Sequence, residues 1–235
     1  MLNEETAREL ADKFFSRTCD MITFNNREEW LELRRHGIGG SDVASIVGHS
    51  PFRGRKEVYQ SKVETVPEIT NEAIEFGNTF EPLIFETFKA KYSYDYVVLD
   101  YKDTMFRNKM LPMLQASLDG VLVDKFTNQV GILEIKTSQG KKRKWYDDYN
   151  NPCVPNYYLD QAVHYFNTTN ADFVVFYALI NNKSDFTDYD MYFLKPRIIR
   201  RTDIVDYCNY ILKECISFWN NYIIPRKEPT NLITY

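Results

Sequence analysis

Two neighbouring apolar segments of the sequence carry ionisable residues where buried strands usually carry none. Segment 117–123 contains Asp119, and segment 131–136 contains Glu134 and Lys136. Because strand side chains alternate between the two faces of a sheet, Glu134 and Lys136 are expected to share one face. Burying a charge is costly unless it is paired or bound to a metal. These three side chains are therefore the first candidates for chemistry.

Two interpretations fit this cluster. Glu134 and Lys136 alone are typical of a structural ion pair at the end of a strand. Asp119 on the preceding strand favours a second interpretation, because a pair of carboxylates beside a lysine is what a divalent-cation nuclease requires. Carboxylates bind hard cations through oxygen, and such cations activate water and neutralise the leaving group. The lysine would orient or deprotonate that water and stabilise charge in the transition state.

A glycine-rich turn forms a second candidate site. Residues 37–42, Gly-Ile-Gly-Gly-Ser-Asp, follow Arg34 and Arg35 and precede a predicted apolar helix over 43–47. Ser and Asp at a helix start form an N-cap and leave backbone N–H groups that can bind a phosphate. Glycines are also common in ordinary turns between helices, so both interpretations stay open. His49, just after the helix, is expected to be a turn residue.

A predicted helix over 71–92 carries a further acid. Pro82 lies inside its apolar pattern, so either a new helix begins there or the helix kinks. Glu81 at this point is either an acid favoured by the helix dipole or an additional carboxylate for the metal site.

A later helix over 157–166 places Gln161, His164 and Tyr165 on one face, at positions i, i+3 and i+4. Gln161 could bind a metal-bound water or a substrate phosphate, or it could be a partly buried polar cap on a core helix. His164 is expected to be a core residue rather than a neighbour of the site.

Composition limits the function classes. The 235 residues carry a formal net charge of −4, which argues against a protein that coats nucleic acid by bulk charge. Phosphate contacts would have to be local, and the basic run 141–144 directly follows the acid-bearing strand. No apolar run approaches the ~20 residues of a membrane span, and the charged N-terminus lacks a signal peptide's apolar core. We expect an intracellular, cytoplasmic protein without membrane association.

The four cysteines, Cys19, Cys153, Cys208 and Cys215, show no spacing typical of a zinc site. One early and three later cysteines suggest the iron–sulfur cluster of some nucleases, but the late spacings are far too wide for it. Buried free thiols are the expected state.

The order of predicted elements is helices, then strands with the Gln161 helix between them, then a last helix. This order suits an α/β sandwich with a mixed central β-sheet flanked by helices. We expect a single domain over 1–235, with a helical part over about 1–70, a core over about 71–195 and a C-terminal helix over about 202–222.

The sequence resembles the YqaJ-like viral recombinase family, whose members are similar to lambda exonuclease and belong to the PD-(D/E)xK nuclease superfamily. The resemblance lies in five blocks that keep the order of the family, at residues 30–42, 76–82, 116–120, 133–136 and 155–164. One departure is Leu118, where many members have proline. Leucine keeps the strand entry and leaves Asp119 in place, so we expect the activity to be retained.

The resemblance implies a restriction-endonuclease-like core and a role for each site residue. The metal ligands would be Asp119, Glu134 and the backbone carbonyl of Ile135, with Glu81 supporting a second metal or its bound water. Lys136 would activate the water, and Gln161 would lie near the nucleophile. The DNA phosphates, including a 5′-phosphate, would be contacted by Arg35, Ser41 and Ser117.

The resemblance also implies an activity that spacing and composition do not show. Family members digest one strand of linear double-stranded DNA in the 5′→3′ direction, with Mg²⁺ as cofactor and Mn²⁺ as the alternative. A homotrimeric ring and a single-strand-annealing partner protein are implied as well. The alternatives are a DNA endonuclease on the same core and a non-catalytic member that binds DNA.

Overall fold

The computed structural model describes residues 2–64, 70–139, 145–146, 153–183 and 190–230. The basic run at 141–144 lies outside these residues. Along the described chain the elements are α1 (Glu4–Phe15), β1 (Cys19–Thr23), α2 (Arg27–Arg35), α3 (Gly40–Val47), α4 (Arg55–Val63), α5 (Glu72–Lys91), β2 (Tyr96–Leu99), β3 (Thr104–Asn108), β4 (Gln115–Ser117), β5 (Gly120–Asp124), β6 (Val130–Gln139), α6 (Asn156–Thr169), β7 (Phe173–Asn181), β8 (Met191–Phe193), β9 (Arg197–Arg200) and α7 (Val205–Phe218).

The central sheet has mixed strand directions. Its order is β2-β5-β6-β7-β8, and β9 also pairs with β7. The pairings β2–β5 and β5–β6 are antiparallel, whereas β6 and β7 run parallel with α6 as the crossover. All nine residues of β7 are buried, as expected for a strand covered on both faces. The predicted mixed central sheet is confirmed.

Alternation along the strands builds two separate apolar cores. One face of β5 and β6, with Val121 and Ile132, packs against a core shared with α1, α3, α6 and α7. The other face, with Leu122 and Leu133, packs against Ile84 and Phe88 of α5. The helices therefore sandwich the sheet from both sides. No helix in the described ranges combines the length and apolar character needed to cross a membrane.

A second sheet was not predicted. Strands β1, β3 and β4 form an antiparallel sheet in the order β1-β3-β4, where the sequence indicated only a segment leading to Asp119. These strands are short, and in β1 only Cys19 is buried, so the apolar alternation is too weak to predict a strand. This small sheet packs against α6 and brings Ser117, at the end of β4, close to Asp119.

Helix boundaries follow the capping residues. The Asn3, Asn26 and Asn71 side chains each accept a backbone N–H at the start of α1, α2 and α5. Helix α3 begins at Gly40, earlier than the predicted Val43. Pro82 lies inside the single helix α5, so no new helix begins there.

Candidate active site

The site lies where β5 and β6 separate. Gly120 pairs with Leu133, and the residues that continue past this pair are Asp119 on one strand and Glu134 on the other. Asp119 therefore precedes β5 rather than lying within it, which corrects its predicted position on a strand. The two acids are neighbours because each directly adjoins the last residue pair of the β5–β6 ladder.

Beyond that point β6 is still paired with β7 along its other edge, up to Lys136 and further. On the freed edge, the Ile135 backbone N–H donates to Asp119 Oδ2 at 2.7 Å. The N–H and C=O of a strand residue point to the same edge, so the Ile135 carbonyl faces the side of Asp119 as well. Ile135 lines the cavity described below.

Lys136 and Glu134 form a buried ion pair. The Lys136 Nζ donates to Glu134 Oε1, and the Lys136 ammonium lies 5.0 Å from the centre of the Tyr158 ring. The Glu134 side chain is 1% exposed and the Lys136 side chain 16%. The structural ion pair expected from the sequence is present, and it lies inside the candidate site.

Burial and mutual repulsion shift the acids. Burial, and then the neighbouring Asp119 carboxylate, raise the pKa of Glu134 to about 7 despite the adjacent Lys136. Burial also raises the pKa of Asp119, although Lys136 and the Ile135 N–H oppose the shift. Burial alone would lower the pKa of Lys136, but the Glu134 and Asp119 carboxylates outweigh it and raise that pKa above its usual range. Without a cation, burial and mutual repulsion therefore disfavour the ionised forms of both acids.

Glu81 joins this group from helix α5. Its side chain stays exposed at the mouth of the site. The surrounding protein removes part of its water, and this desolvation together with the Asp119 carboxylate raises the pKa of Glu81 to about 7. The side chain therefore lies near the other acids, as the interpretation of an additional carboxylate requires.

A cavity of about 250 Å³ is lined by all of the predicted site residues except Arg35. Its lining includes Glu81, Asp119, Glu134, Ile135, Lys136, Gln161, Ser41 and Ser117. The structure thus brings together residues from α3, α5, β4, β6 and α6 that are up to 120 positions apart in the sequence.

The donor set fits a hard divalent cation. Glu134 Oε2 is buried and makes no hydrogen bond of normal geometry to a described residue, although the Tyr165 hydroxyl interacts with this carboxylate, so a carboxylate oxygen is available. Asp119 contributes a second carboxylate and Ile135 a carbonyl. In the described ranges, no group of three or more His, Cys, Asp or Glu side chains is placed to hold a metal ion. Asp119 and Glu134 supply two carboxylates, and Mg²⁺ is usually bound by one or two carboxylates plus water and substrate phosphate.

One wall of the cavity, formed by Trp30, Arg34, Gly39, Gly40 and Ser41, is cationic. Arg34 Nη2 donates to Ser41 Oγ at 2.8 Å, and its guanidinium lies 4.6 Å from the centre of the Trp30 ring. Gly39, Gly40 and Ser41, at the start of α3, line the same wall. A helix N-terminus beside an arginine is suited to bind a phosphate group.

Arg34, rather than the predicted Arg35, lines this cavity. The Arg35 guanidinium pairs instead with Glu32 at 3.3 Å. The difference follows from the helical period, because Arg34 lies four residues after Trp30 and shares its face of α2. The spacing alone does not identify which face of α2 meets the cavity, because that depends on the contact between Trp30 and Ser117.

Ser117 and Gln161 are held by neighbours. The Trp30 Nε1–H donates to Ser117 Oγ at 2.9 Å. Gln161 Nε2 donates to the Tyr165 hydroxyl at 2.6 Å, which places two residues of the predicted helix face in the cavity wall. A Cβ atom on Gly40 would lie 2.8 Å from Gln161 Cγ, so only glycine allows α3 to approach α6 this closely.

Two of the three histidines, His49 and His164, behave as expected. His164 is fully buried, and its Nε2 lies 2.9 Å from the Gln115 carbonyl oxygen. His49 lies after α3 and its Nδ1 is 3.0 Å from Asp160 Oδ2. Neither lines the cavity.

Sequence reasoning missed Gln115. Its side chain is 1% exposed and lines the cavity, yet neither its Nε2 nor its Oε1 has a hydrogen-bond partner among the described residues. An isolated glutamine in an unrecognised strand carries no sequence signal.

Three of the cysteines, Cys19, Cys208 and Cys215, are buried free thiols, as predicted.

Comparisons with known proteins show which family and which solved structures this chain is similar to. Residues 29–172 match the YqaJ-like viral recombinase domain. The chain is 27% identical over 221 residues to the uncharacterized protein YqaJ of Bacillus subtilis (strain 168), covering 91% of this chain and 63% of that protein. The chain therefore spans less than two thirds of that relative.

Solved structures show the same fold. A crystal structure of LHK-Exo in complex with dAMP superposes with a TM-score of 0.58 and 18% identity, covering 83% of this chain and 92% of the other. A structure of the alkaline exonuclease LHK-Exo from Laribacter hongkongensis gives a TM-score of 0.56 and 16% identity, covering 85% and 96%. The predicted restriction-endonuclease-like fold is confirmed.

Proposed function

This chain belongs to the YqaJ-like viral recombinase domain family, and we propose that it is a divalent-metal-dependent exonuclease that digests one strand of linear double-stranded DNA in the 5′→3′ direction. The observation that carries the proposal is the convergence of Asp119, Glu134 and Lys136 in one cavity that also has a cationic wall. LHK-Exo, which shares the fold, is an alkaline exonuclease, and this likeness supports the same reaction class.

Phosphodiester hydrolysis assigns a role to each part of the cavity. Asp119, Glu134 and the Ile135 carbonyl would hold Mg²⁺, with Mn²⁺ as the alternative. The cation would lower the pKa of a bound water and neutralise charge on the phosphate. Lys136, held by Glu134, would orient the attacking water and stabilise charge that develops on the phosphate oxygens. Glu81 would support a second metal or its bound water.

The geometry of the α6 side provides positioning. Gln161 is oriented by its hydrogen bond to the Tyr165 hydroxyl and would bind the attacking water or a phosphate oxygen. Glu134, Ile135 and Lys136 lie on strand β6 of the central sheet, and strands are more rigid supports than loops.

Arg34, Ser41 and Ser117 would bind phosphates on the cationic wall, including the terminal 5′-phosphate. Arg34 replaces Arg35 in this proposal because it lines the cavity. A phosphate held at that wall would fix the strand end relative to Lys136 and the acids, which is what digestion from a 5′ end requires. The homotrimeric ring and the annealing partner stay predictions based on the family.

The deciding experiment is digestion of linear duplex DNA with Mg²⁺, labelled at the 5′ or the 3′ end, beside a covalently closed circle. Nucleotides released from 5′ ends with the circle intact are expected, and the Asp119→Ala protein should be inactive. Cutting of the circle would indicate an endonuclease instead. Binding of DNA without any cutting would indicate a non-catalytic member.

A further inference from the structure

A buried cluster of charges lies directly behind the cationic wall. Asp42, in the first turn of α3, has a side chain that is 1% exposed, and three cations surround it. Lys62 Nζ lies 2.8 Å from Asp42 Oδ2, Arg53 Nη2 lies 2.6 Å from Oδ1, and Arg34 Nη2 lies 3.9 Å from Oδ1. Three positive charges therefore share one carboxylate.

The Asp42 carboxylate already has three donors at hydrogen-bonding distance without Arg34. Its Oδ2 also accepts the Gly39 backbone N–H at 2.8 Å, so both oxygens are occupied by donors at hydrogen-bonding distance. Arg34, at 3.9 Å, is outside that distance. It directs its Nη2 to Ser41 Oγ in the cavity wall instead.

The same two cations hold the wall itself. Lys62 Nζ donates to the Arg34 carbonyl oxygen at 2.9 Å, and Arg53 Nη2 donates to the Ser41 carbonyl oxygen at 3.1 Å. Lys62 is 3% exposed, so it cannot contact a substrate, whereas the Arg34 side chain is 28% exposed. Lys62 thus acts only through its neighbours.

We propose that Lys62 and Arg53 are positioning residues that occupy Asp42 and so leave the charge of Arg34 available for a terminal 5′-phosphate. This inference rests on the proposed function and extends it to end specificity. Without either residue, Arg34 would move onto the freed Asp42 oxygen and away from the cavity. The protein would then lose its preference for 5′-phosphorylated over 5′-hydroxyl ends.

The test compares short duplexes with 5′-phosphate or 5′-hydroxyl ends, with kcat and KM measured for each. In Lys62→Met and Arg53→Gln proteins, KM for phosphorylated ends should rise about tenfold or more, the range for a lost hydrogen bond to a charged group. The kcat and the KM for hydroxyl ends should change less than about twofold, because an interaction with the 5′-phosphate is absent there. Lys62→Arg should restore most of the preference.

Glu214→Gln is the matched control. Glu214 pairs with Arg55 at 3.1 Å, and Arg55 also supports α3 through the Ile46 carbonyl, away from the cavity. Its removal should leave the preference for phosphorylated ends unchanged. Arg53 is 32% exposed, so Arg53→Gln should fold even if Lys62→Met does not.

Equal rises in KM for both kinds of end would overturn the inference, since they would indicate a general structural role. An unchanged ratio in the variants, or a wild-type protein with no preference, would overturn it as well. A wild-type protein that digests neither duplex would instead contradict the proposed function. Fluorescence anisotropy with the same two duplexes needs no turnover. If the ratio of their dissociation constants is the same in the variants as in wild type, the inference is overturned even when neither duplex is digested.

Discussion

Asp119 Oδ2 accepts the backbone N–H of Ile135 at 2.7 Å, so the carboxylate bridges the point where β5 and β6 part. The bond occupies one carboxylate oxygen and takes the place of a ladder hydrogen bond that the shorter strand β5 cannot supply. Asp119 is thereby fixed relative to Glu134, its neighbour on β6. Asp119 itself precedes β5, so this bond to β6 fixes the separation of the two acids, as a preorganised metal site needs.

Asp119→Asn should preserve the shape of this bridge and remove its charge. The amide oxygen can still accept the Ile135 N–H, but the site loses a carboxylate ligand for the cation. We expect digestion of linear DNA to fall about 10³-fold or more, since the cation supplies several kcal/mol of transition-state stabilisation. Calorimetric titration with Mn²⁺ should show weakened binding. The exposed Asp20, on β1, gives the control Asp20→Asn, which should match wild type in both measurements.

Lys136→Met should abolish cleavage while largely sparing DNA binding. The methionine keeps much of the side-chain volume but cannot hold the attacking water or stabilise charge on the phosphate. Cleavage rates and DNA-binding anisotropy measured on the same preparation separate the two effects. Lys125→Met is the control. Lys125 lies on the hairpin at the far end of β5 and β6, where its ammonium donates to the Ser93 carbonyl. Retained turnover in Lys136→Met would remove Lys136 from the mechanism.

The two strands of the candidate site could be predicted because their signals are local. The apolar runs around Asp119 and Glu134 and the polar hairpin between them determine both strands and their antiparallel pairing. The shared face of Glu134 and Lys136 follows from the period of a strand. The core position of His164 followed similarly from the apolar pattern of α6.

What could not be predicted depends on contacts between distant residues. Choosing Arg34 over Arg35 requires knowing that Trp30 faces the cavity, and this depends on its bond to Ser117, 87 residues away. The charge cluster at Asp42 depends on Lys62, which follows in another helix. Gln115 lies in a short strand held by the small sheet, for which the sequence has no strong alternation.

Gly40→Ala should damage the site without touching a charged residue. The added Cβ would lie 2.8 Å from Gln161 Cγ and 2.9 Å from a Tyr165 ring carbon, so α3 and α6 would have to separate. Overpacking of this kind costs about 1–3 kcal/mol, and we expect the free energy of unfolding to fall by that amount. Cleavage should fall as well because Gln161 would be displaced.

Urea denaturation measures the first effect and DNA digestion the second. Gly77→Ala is the comparison. Gly77 lies inside helix α5, and a Cβ added there would meet only Thr137 Oγ1, at 3.4 Å. There alanine should stabilise the fold, by about 0.5–1 kcal/mol. Equal stability of Gly40→Ala and wild type would show that α3 and α6 are packed less tightly than the structure indicates.

Stability without metal should fall as pH rises towards neutrality. The pKa of Glu134 is raised from 4.5 to about 7 in the folded protein, so between these values the folded state binds a proton that the unfolded state has released. The contribution of Glu134 to the free energy of unfolding is therefore fully present below pH 4.5 and is lost as pH rises through about 7. Glu81 shifts in the same direction but is open to solvent, so its contribution is smaller.

A divalent cation should reverse this loss, because it binds the ionised carboxylates and must displace protons at lower pH. We expect the rise in Tm on adding Mg²⁺ or Mn²⁺ to be larger at pH 8 than at pH 6, measured by differential scanning fluorimetry. Glu134→Gln removes the titrating carboxylate, and its rise in Tm should be small at both pH values. If the wild-type rise is the same at pH 6 and pH 8, cation binding is not coupled to the protonation of Glu134, and that residue does not bind the metal directly.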